Sequence, residues 1–427
     1  MEIFGSTKNR KEFYVRMKLS RNKYGKTEHS FCIKYFKWVL WFSLSFYFFA
    51  TPLGNRRPAT KSFDSEISKL QSKSLKVYIY ELPSKYNSDW LSIERCSNHL
   101  FASEVAIHKA LSKSQVRTFD PSVADFFFVP VYVSCKFSAG NGFPEIGHAR
   151  GLLSSAVDLI SSEFPFWNRR NGSDHVFVAS HDYGACFHAM EDRAVAEGIP
   201  EFMKNSIVLQ TFGVRYRHPC QDVENIVIPP YASPEKVQSI LSMSPVTGRR
   251  DIFVFFRGKM EVHPKNVSGQ YYSRRLRTEI LRKYSHDRRF YLRRNRFAGY
   301  LSEIVRSVFC LCPLGWAPWS PRLVESVALG CIPVIIADGI MLPFEKVVPW
   351  SEISLTVAEK DLGKLDRILD YVAATNLSSI QRNLWDPKVK QAPLFHDDME
   401  FGDATWQILI ALSEKLGSYK SRFFVES

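Results

Sequence analysis

An α/β fold built on two Rossmann-like parallel sheets is what the sequence predicts, on three observations. The first is a strand, loop, helix, strand unit between Ser307 and Trp350. The second is a series of short apolar runs alternating with helical patterns from Lys76 onward, as expected of parallel sheets covered on both faces. The third is length: about 350 residues follow the first 74, too many for one ordinary core. Hydrophobic residues make up 45% and aromatic residues 14% of the chain, which excludes a disordered protein. No solenoid-type repeat is visible.

Taken from the start, residues 1–37 carry ten Lys/Arg and three Glu without apolar period, a solvated tail. Trp38 to Ala50 is thirteen residues without a charge, and extension to Leu53 makes sixteen. A full span wants about 20, but about 17 suffice when flanking lysines such as Lys34 and Lys37 reach the interface. The basic flank leads the apolar run, so the tail is expected in the cytosol and the rest in the lumen. The long basic lead and the lack of a small-x-small site after Ala50 favour an uncleaved signal anchor over a signal peptide. So short and Phe-rich a span suits a thin Golgi membrane. Residues 54–74 read as a polar stem.

The first lumenal domain is placed at 75–240. It opens with a strand at Lys76 to Tyr80, followed by helical spacing at Leu100, Glu104, Ile107, His108 and Leu111. A strand at Asp125 to Val133, a helix at Ile146 to Glu163, and strands at His175 to Ala179, Ser206 to Gln210 and Asn225 to Ile228 complete it. Ser233 to Arg250, with two prolines, reads as a linker. The second domain, 250–375, opens with a strand at Asp251 to Phe256. Residues 376–427 read as helices, with Trp385, Trp406, Ile408 and Leu412 set to pack back on the first domain.

In the unit at Ser307 to Trp350, the runs around Val308 to Cys312 and Ile332 to Ile336 are buried strands. Ser320 suits an N-cap, Pro321 a first helical turn and Gly330 the C′ position, giving a helix at Pro321 to Leu329. The loop Leu314 to Trp319, with Gly315, opens at the carboxyl end of the first strand, where open α/β sheets bind ligands. Helix N-termini there favour phosphates. Arg322 and Glu325 are three apart and share one helical face, suited to the diphosphate and ribose of a nucleotide sugar. Spacing alone does not separate this from an exposed helical ion pair. Asp338, after the second strand, completes the candidate set.

The pattern S-x-R-x-x-E, then G-C-I-P-V-I, then D, L-P-F and W, resembles the C-terminal signature of the exostosin-like glycosyltransferases. The fuller string CPLGWAPWSPRLVESVALGCIPVIIADG is similar to the plant branch acting in glucuronoxylan synthesis, the fragile-fiber type of glucuronosyltransferase-like protein. The resemblance implies a GT-B arrangement, two Rossmann-like domains facing a cleft, and gives Glu325 a nucleotide-binding role. Members of the family carry smaller residues where this chain has Trp316 and Trp319. An Arg-Gly is similarly placed in such proteins, which assigns Arg257, with Gly258 and Lys259, to the donor diphosphate. The competing reading is an arginine paired with a carboxylate at the sheet edge.

The turn Ser180 to Gly184 follows the strand HVFVA and sets two titratable groups at a strand's carboxyl end. An inverting transfer needs one general base for the acceptor hydroxyl. Asp182 is the first candidate and His181 the second; alternatively Asp182 is a helix cap and His181 a buried hydrogen-bonding residue. Tyr132 and His99 are lesser candidates for the same cleft.

The formal net charge of +14 is local. The tail contributes +7 and Arg249 to Arg296 contribute +11, so the remainder is slightly acidic. The second patch carries no interleaved stacking motif and is expected in the lumen, where nucleic acid is not a partner, so an anionic nucleotide sugar or a uronic-acid-bearing polysaccharide fits it better. Arg274, Arg275, Arg277 and Arg282, on a helix within it, read as a solvated face. No D-x-D occurs in the lumenal domains, and Cys310, Cys312 and Cys331 lie in buried strands without a His pair. A metal-independent transferase without cofactor is therefore expected, with Arg257 and Arg322 in place of the metal. Cys96, Cys135, Cys186 and Cys220 form two disulfides or stay as buried thiols. Sequons stand at Asn171, Asn266 and Asn376.

The expectation is thus a type II Golgi membrane protein transferring a sugar from a UDP-sugar to xylan, with glucuronic acid implied by the resemblance. A transferase building the xylan reducing-end sequence is the alternative within the enzyme class. A non-catalytic scaffold in a complex of xylan-synthesis transferases is the alternative outside it.

Overall fold

Two parallel sheets organise the chain in the computed structural model, which describes residues 75–135, 138–140, 143–244, 250–260, 271–295 and 297–423. The expected tail, membrane span and stem, and the sequon at Asn266, lie outside the described residues. Among the described residues, no helix is long and apolar enough to cross a membrane.

The first sheet contains β1 (Val77–Ile79), β2 (Arg117–Thr118), β3 (Phe126–Phe128), β6 (His175–Ala179), β7 (Ile207–Gln210) and β8 (Glu224–Val227), in the order β2-β1-β3-β6-β7-β8. Every neighbouring pair is parallel. Between β3 and β6 runs a small antiparallel hairpin of β4 (Ser138–Gly140) and β5 (Phe143–Glu145). Alternation along the strands sends Phe126, Phe128, Val176, Val178, Ile207 and Leu209 to one face, and Phe127, Phe177, Ala179 and Val208 to the other. Helix α1 (Ser103–Lys113) covers the first face with Ala106, Ile107 and Leu111; α2 (Ala149–Glu163) covers the second with Leu153, Ala156, Val157 and Ile160. Both faces being buried explains why these strands read as apolar runs.

The segment read as a linker is largely helical. Ser233 accepts from the Lys236 N–H at 3.2 Å and Pro234 fills the first turn, so Pro234–Met243 forms α3. A Ser-Pro-Glu helix start is the signal that was available. Only residues 245–249 of the expected linker are outside the description.

The second sheet contains β9 (Ile252–Arg257), β10 (Phe290–Arg293), β11 (Ser307–Pro313), β12 (Ile332–Ile336) and β13 (Leu355–Thr356), ordered β10-β9-β11-β12-β13, all parallel. Between them run α4 (Leu276–Tyr284), α5 (Tyr300–Val305) and α6 (Pro321–Leu329). Gly330 ends α6 at φ 73°, the left-handed conformation a C-terminal glycine takes without strain. From β9 the chain steps outward to β10 and returns on the other side to β11, which makes the gap between β9 and β11 a topological switch point. After α7 (Leu365–Thr375) and α8 (Leu377–Leu384), the last helix α9 (Ala404–Phe423) crosses back. Its Ile408, Leu409, Leu412 and Leu416 pack into the core of the first sheet.

Three disulfides are present among the described residues: Cys96–Cys135, Cys186–Cys220 and Cys310–Cys331. The third was not expected. It links β11 to the residue before β12, strands that are neighbours in the sheet, and leaves Cys312 as a buried thiol. Asn171 and Asn376 are both exposed.

Candidate active site

A cavity of about 610 Å³ opens at the switch point of the second sheet and reaches the first. One wall is the end of β9, Arg257 to Lys259. Another is the loop and first turns of α6, Gly315 to Glu325. Arg277 and Tyr300 come from α4 and α5, Arg294 from the end of β10, and Phe101 and Asp182 from the first sheet's side.

Eight of the ten residues predicted for catalysis and donor binding line this cavity: Asp182, Arg257, Gly258, Lys259, Gly315, Ser320, Arg322 and Glu325. Asp338 does not. It is exposed and exchanges hydrogen bonds with Glu359, side chain to backbone N–H in both directions at 3.0 Å. His181 lies behind the wall, fully buried, its ring against Phe101 at 4.6 Å. Burial drives its pKa down to about 3, so it is neutral, and neither ring nitrogen has a hydrogen-bond partner among the described residues. Tyr132 and His99 are also absent from the cavity lining. Tyr132 instead bonds His108 at 2.6 Å.

Arg257 sits in the wall, but its guanidinium is committed elsewhere. Nε and Nη2 grip the Glu303 carboxylate at 2.6 and 2.5 Å, and Nη1 donates to the Asn295 carbonyl at 2.6 Å. This is the sheet-edge pairing that competed with a diphosphate role in the sequence. Its carbonyl accepts from Arg322 Nη2 at 2.5 Å. Gly258 makes that approach feasible, since a Cβ there would stand 3.2 Å from the same nitrogen.

Arg322 is 7% exposed, lies over the Phe256 ring and has no carboxylate within ion-pair distance among the described residues. Its Nε is buried without a hydrogen-bond partner among the described residues. The exposed Arg322–Glu325 pair therefore does not form. Glu325 accepts from the Tyr300 hydroxyl through Oε2, leaving Oε1 without a hydrogen bond among the described residues, and burial raises its pKa. Ser320 precedes α6 in extended backbone, yet its hydroxyl does not cap the helix. It faces Arg322 Nη1 at 3.5 Å instead, and among the described residues no side chain caps the first-turn N–H groups.

Arg277, expected on a solvated face, lines the cavity instead. It is 6% exposed, not solvated. Its guanidinium donates to the carbonyls of Leu314 at 2.9 Å and Pro313 at 3.0 Å and to the Tyr272 hydroxyl at 2.7 Å. Burial lowers its pKa to about 10. The available signal was spacing: Arg277, Ile280 and Tyr284 form one i, i+3, i+7 stripe, and the other two are core residues. Tyr300 and Phe101 carried no signal of their own.

Across the cavity, Asp182 has its pKa pushed up to about 7 by burial alone. Its carboxylate accepts no hydrogen bond among the described residues, and the nearest basic atom is Nδ1 of the neutral His181 at 3.7 Å. It caps no helix: the short 3₁₀ turn that follows starts after Tyr183 and has no side-chain cap. With Arg257 neutralised by Glu303, Lys259, Arg277, Arg294 and Arg322 outnumber the two carboxyls, so the cavity favours an anion.

The exostosin GT47 domain model matches residues 71–372. The chain is 59% identical over 437 aligned residues to the probable glucuronoxylan glucuronosyltransferase IRX7 of Arabidopsis thaliana, covering 93% of this chain and 98% of that protein. It is 61% identical over 406 residues to a second probable glucuronoxylan glucuronosyltransferase of the same plant, covering 90% of this chain and 87% of that protein. Among solved structures, Anabaena HepE in complex with UDP aligns over 81% of this chain and 100% of that one, at 11% identity and a TM-score of 0.38. From a family match across both sheets and near-full-length relatives at about 60% identity, it follows that this chain is a glycosyltransferase of the exostosin GT47 family.

Proposed function

We propose that the chain transfers glucuronic acid from UDP-glucuronate to a xylan acceptor with inversion, using Asp182 as general base. Support for the sugar and acceptor comes from the names borne by relatives at 59% and 61% identity. The observation that carries the chemistry is the division of the cavity: cations without carboxylate partners beside a helix N-terminus on one side, and on the other a carboxyl that accepts no hydrogen bond among the described residues.

In this reading the diphosphate lies against Arg277, Arg322 and the first turn of α6, whose N–H groups and cations stabilise the charge on the departing UDP. Oε1 of Glu325 accepts from the ribose hydroxyls while Tyr300 occupies Oε2. Asp182 takes the proton of the acceptor hydroxyl as that oxygen attacks the anomeric carbon and the bond to UDP breaks. Arginines at the diphosphate would fill the role a metal fills elsewhere, so transfer is expected to persist in chelator. Residues 38–53 would anchor the protein in the Golgi membrane with the catalytic part in the lumen, a reading that rests on sequence. Asn171 and Asn376 would then be open to glycosylation.

The test is UDP release by the full-length protein from a panel of UDP-sugars, in chelator, with and without xylo-oligosaccharides. Acceptor-dependent release from UDP-glucuronate is expected. Release from a different donor would replace the sugar, and UDP binding without turnover on any donor would favour a non-catalytic role within a complex.

A further inference from the structure

We propose that Tyr183 and Trp319 are positioning residues, which fix the Asp182 turn against the donor site through two hydrogen bonds that cross between the sheets. The inference rests on the reading of Asp182 as base. The Tyr183 hydroxyl, from the first sheet's side, donates to the Trp316 carbonyl at 2.9 Å. The Trp319 indole N–H, from the second, donates back to the Asp182 carbonyl at 3.4 Å. Both side chains are buried, at 3% and 8% exposure. Ala317 and Trp319 belong to the core otherwise built on the first sheet, so the loop is embedded in the opposite half.

The same loop is held at its other end by the donor wall. Arg277 binds the carbonyls of Pro313 and Leu314, and the Gly315 N–H donates to the Ala317 carbonyl at 2.9 Å, closing a tight turn. The short loop from Pro313 to Trp319 thus runs from the proposed diphosphate contact to the proposed base, tied at both ends. Trp319 also meets Phe101 edge-on at 5.9 Å, and Phe101 packs on His181, which braces the turn from behind.

Both crossing bonds use backbone carbonyls as acceptors. Bonds donated to the carboxylate would stabilise its charge and weaken it as a base. Bonds to the main chain place the group while leaving its oxygens free. Transfer requires the base, acceptor oxygen and anomeric carbon to be aligned within a fraction of an ångström, which a turn carried on a separate sheet does not provide unaided.

Tyr183→Phe removes one hydroxyl and Trp319→Phe one N–H, and both keep an aromatic ring in the core. In the full-length protein each is expected to lower kcat by about tenfold or more while donor KM and UDP affinity stay within about twofold. The double variant is expected to lose less than the product of the two, since both bonds hold one junction. Unchanged kcat in both single variants overturns the proposal, and so does a parallel loss of kcat and UDP affinity, which would make the loop part of the donor site alone. If Trp319→Phe fails to fold, Tyr183→Phe decides. Asp182→Asn is measured alongside: turnover surviving in it refutes the base assignment, whereas normal kcat in both single variants beside a dead Asp182→Asn refutes only the positioning role.

Discussion

Asp182→Asn should abolish transfer and at the same time stabilise the folded protein at alkaline pH. An aspartate ordinarily titrates near 3.8, and burial raises this one to about 7. A carboxyl with a raised pKa holds its proton more tightly in the folded state, so its contribution is complete below pH 3.8 and is lost as pH rises to about 7. At about 1.4 kcal/mol for each pH unit, the loss amounts to about 4 kcal/mol. The side chain retains 16% exposure, so about 2 to 4 kcal/mol is the range to expect. Asparagine is nearly isosteric and has no charge to bury. The stability difference between variant and parent should therefore be small near pH 4, grow through pH 5 to 7 and level off above it. Denaturant unfolding of both proteins across about pH 4 to 8.5 reads this directly, and taking the difference removes Glu104, which burial also raises to about 7. In the parent, kcat should fall below about pH 7 as the base becomes protonated. Equal stability of the two proteins at pH 8, with turnover retained, would refute the reasoning, because the carboxyl would be neither strained by burial nor needed.

The two arginines of the wall should separate cleanly. Arg277→Met is expected to weaken UDP binding about tenfold to a hundredfold by calorimetry, as loss of a charge-assisted contact costs about 1.5 to 3 kcal/mol. Arg257→Met should instead cost about 3 to 5 kcal/mol of stability, because Glu303 is left buried without its cation and with only the Tyr291 hydroxyl as a partner, and the main effect should appear in unfolding experiments. Glu325→Ala should weaken UDP by about 1 to 3 kcal/mol and erase any preference for UDP over 2′-deoxy-UDP; an undiminished preference would take the ribose away from Glu325. Asn171→Gln and Asn376→Gln should each increase mobility in gels of the protein expressed in plant cells, and glycosidase treatment should remove the differences.

The fold was legible wherever burial leaves a one-dimensional trace. β11, α6 and β12 stood out because a central strand covered on both faces is continuously apolar and because Pro321 and Gly330 mark the helix between them. β10 was missed because it is an edge strand: Phe290 and Leu292 point inward, Arg293 is exposed, and arginines flank both ends. The third disulfide was missed for a related reason. Cys310 and Cys331 looked like strand residues, and only strand adjacency, a tertiary fact, makes them partners.

At the site, sequence identified where charges are and not what they face. Arg257 and Arg277 belong to the same basic stretch, and the resemblance favoured the first through the Arg-Gly that ends its strand. Glu303, 46 residues away, stands against that reading by gripping Nε and Nη2 of Arg257. Arg277 has no such carboxylate among the described residues. It spends its hydrogen bonds on carbonyls and a phenol, which hold the guanidinium in place without neutralising it. The same logic separates the carboxyls: Glu303 is spent on a cation, whereas Asp182 is kept free of one by apolar burial. A group fixed by neutral partners keeps its charge, or its affinity for a proton, available to a ligand, and that availability marks this cavity off from the ion pairs elsewhere on the chain.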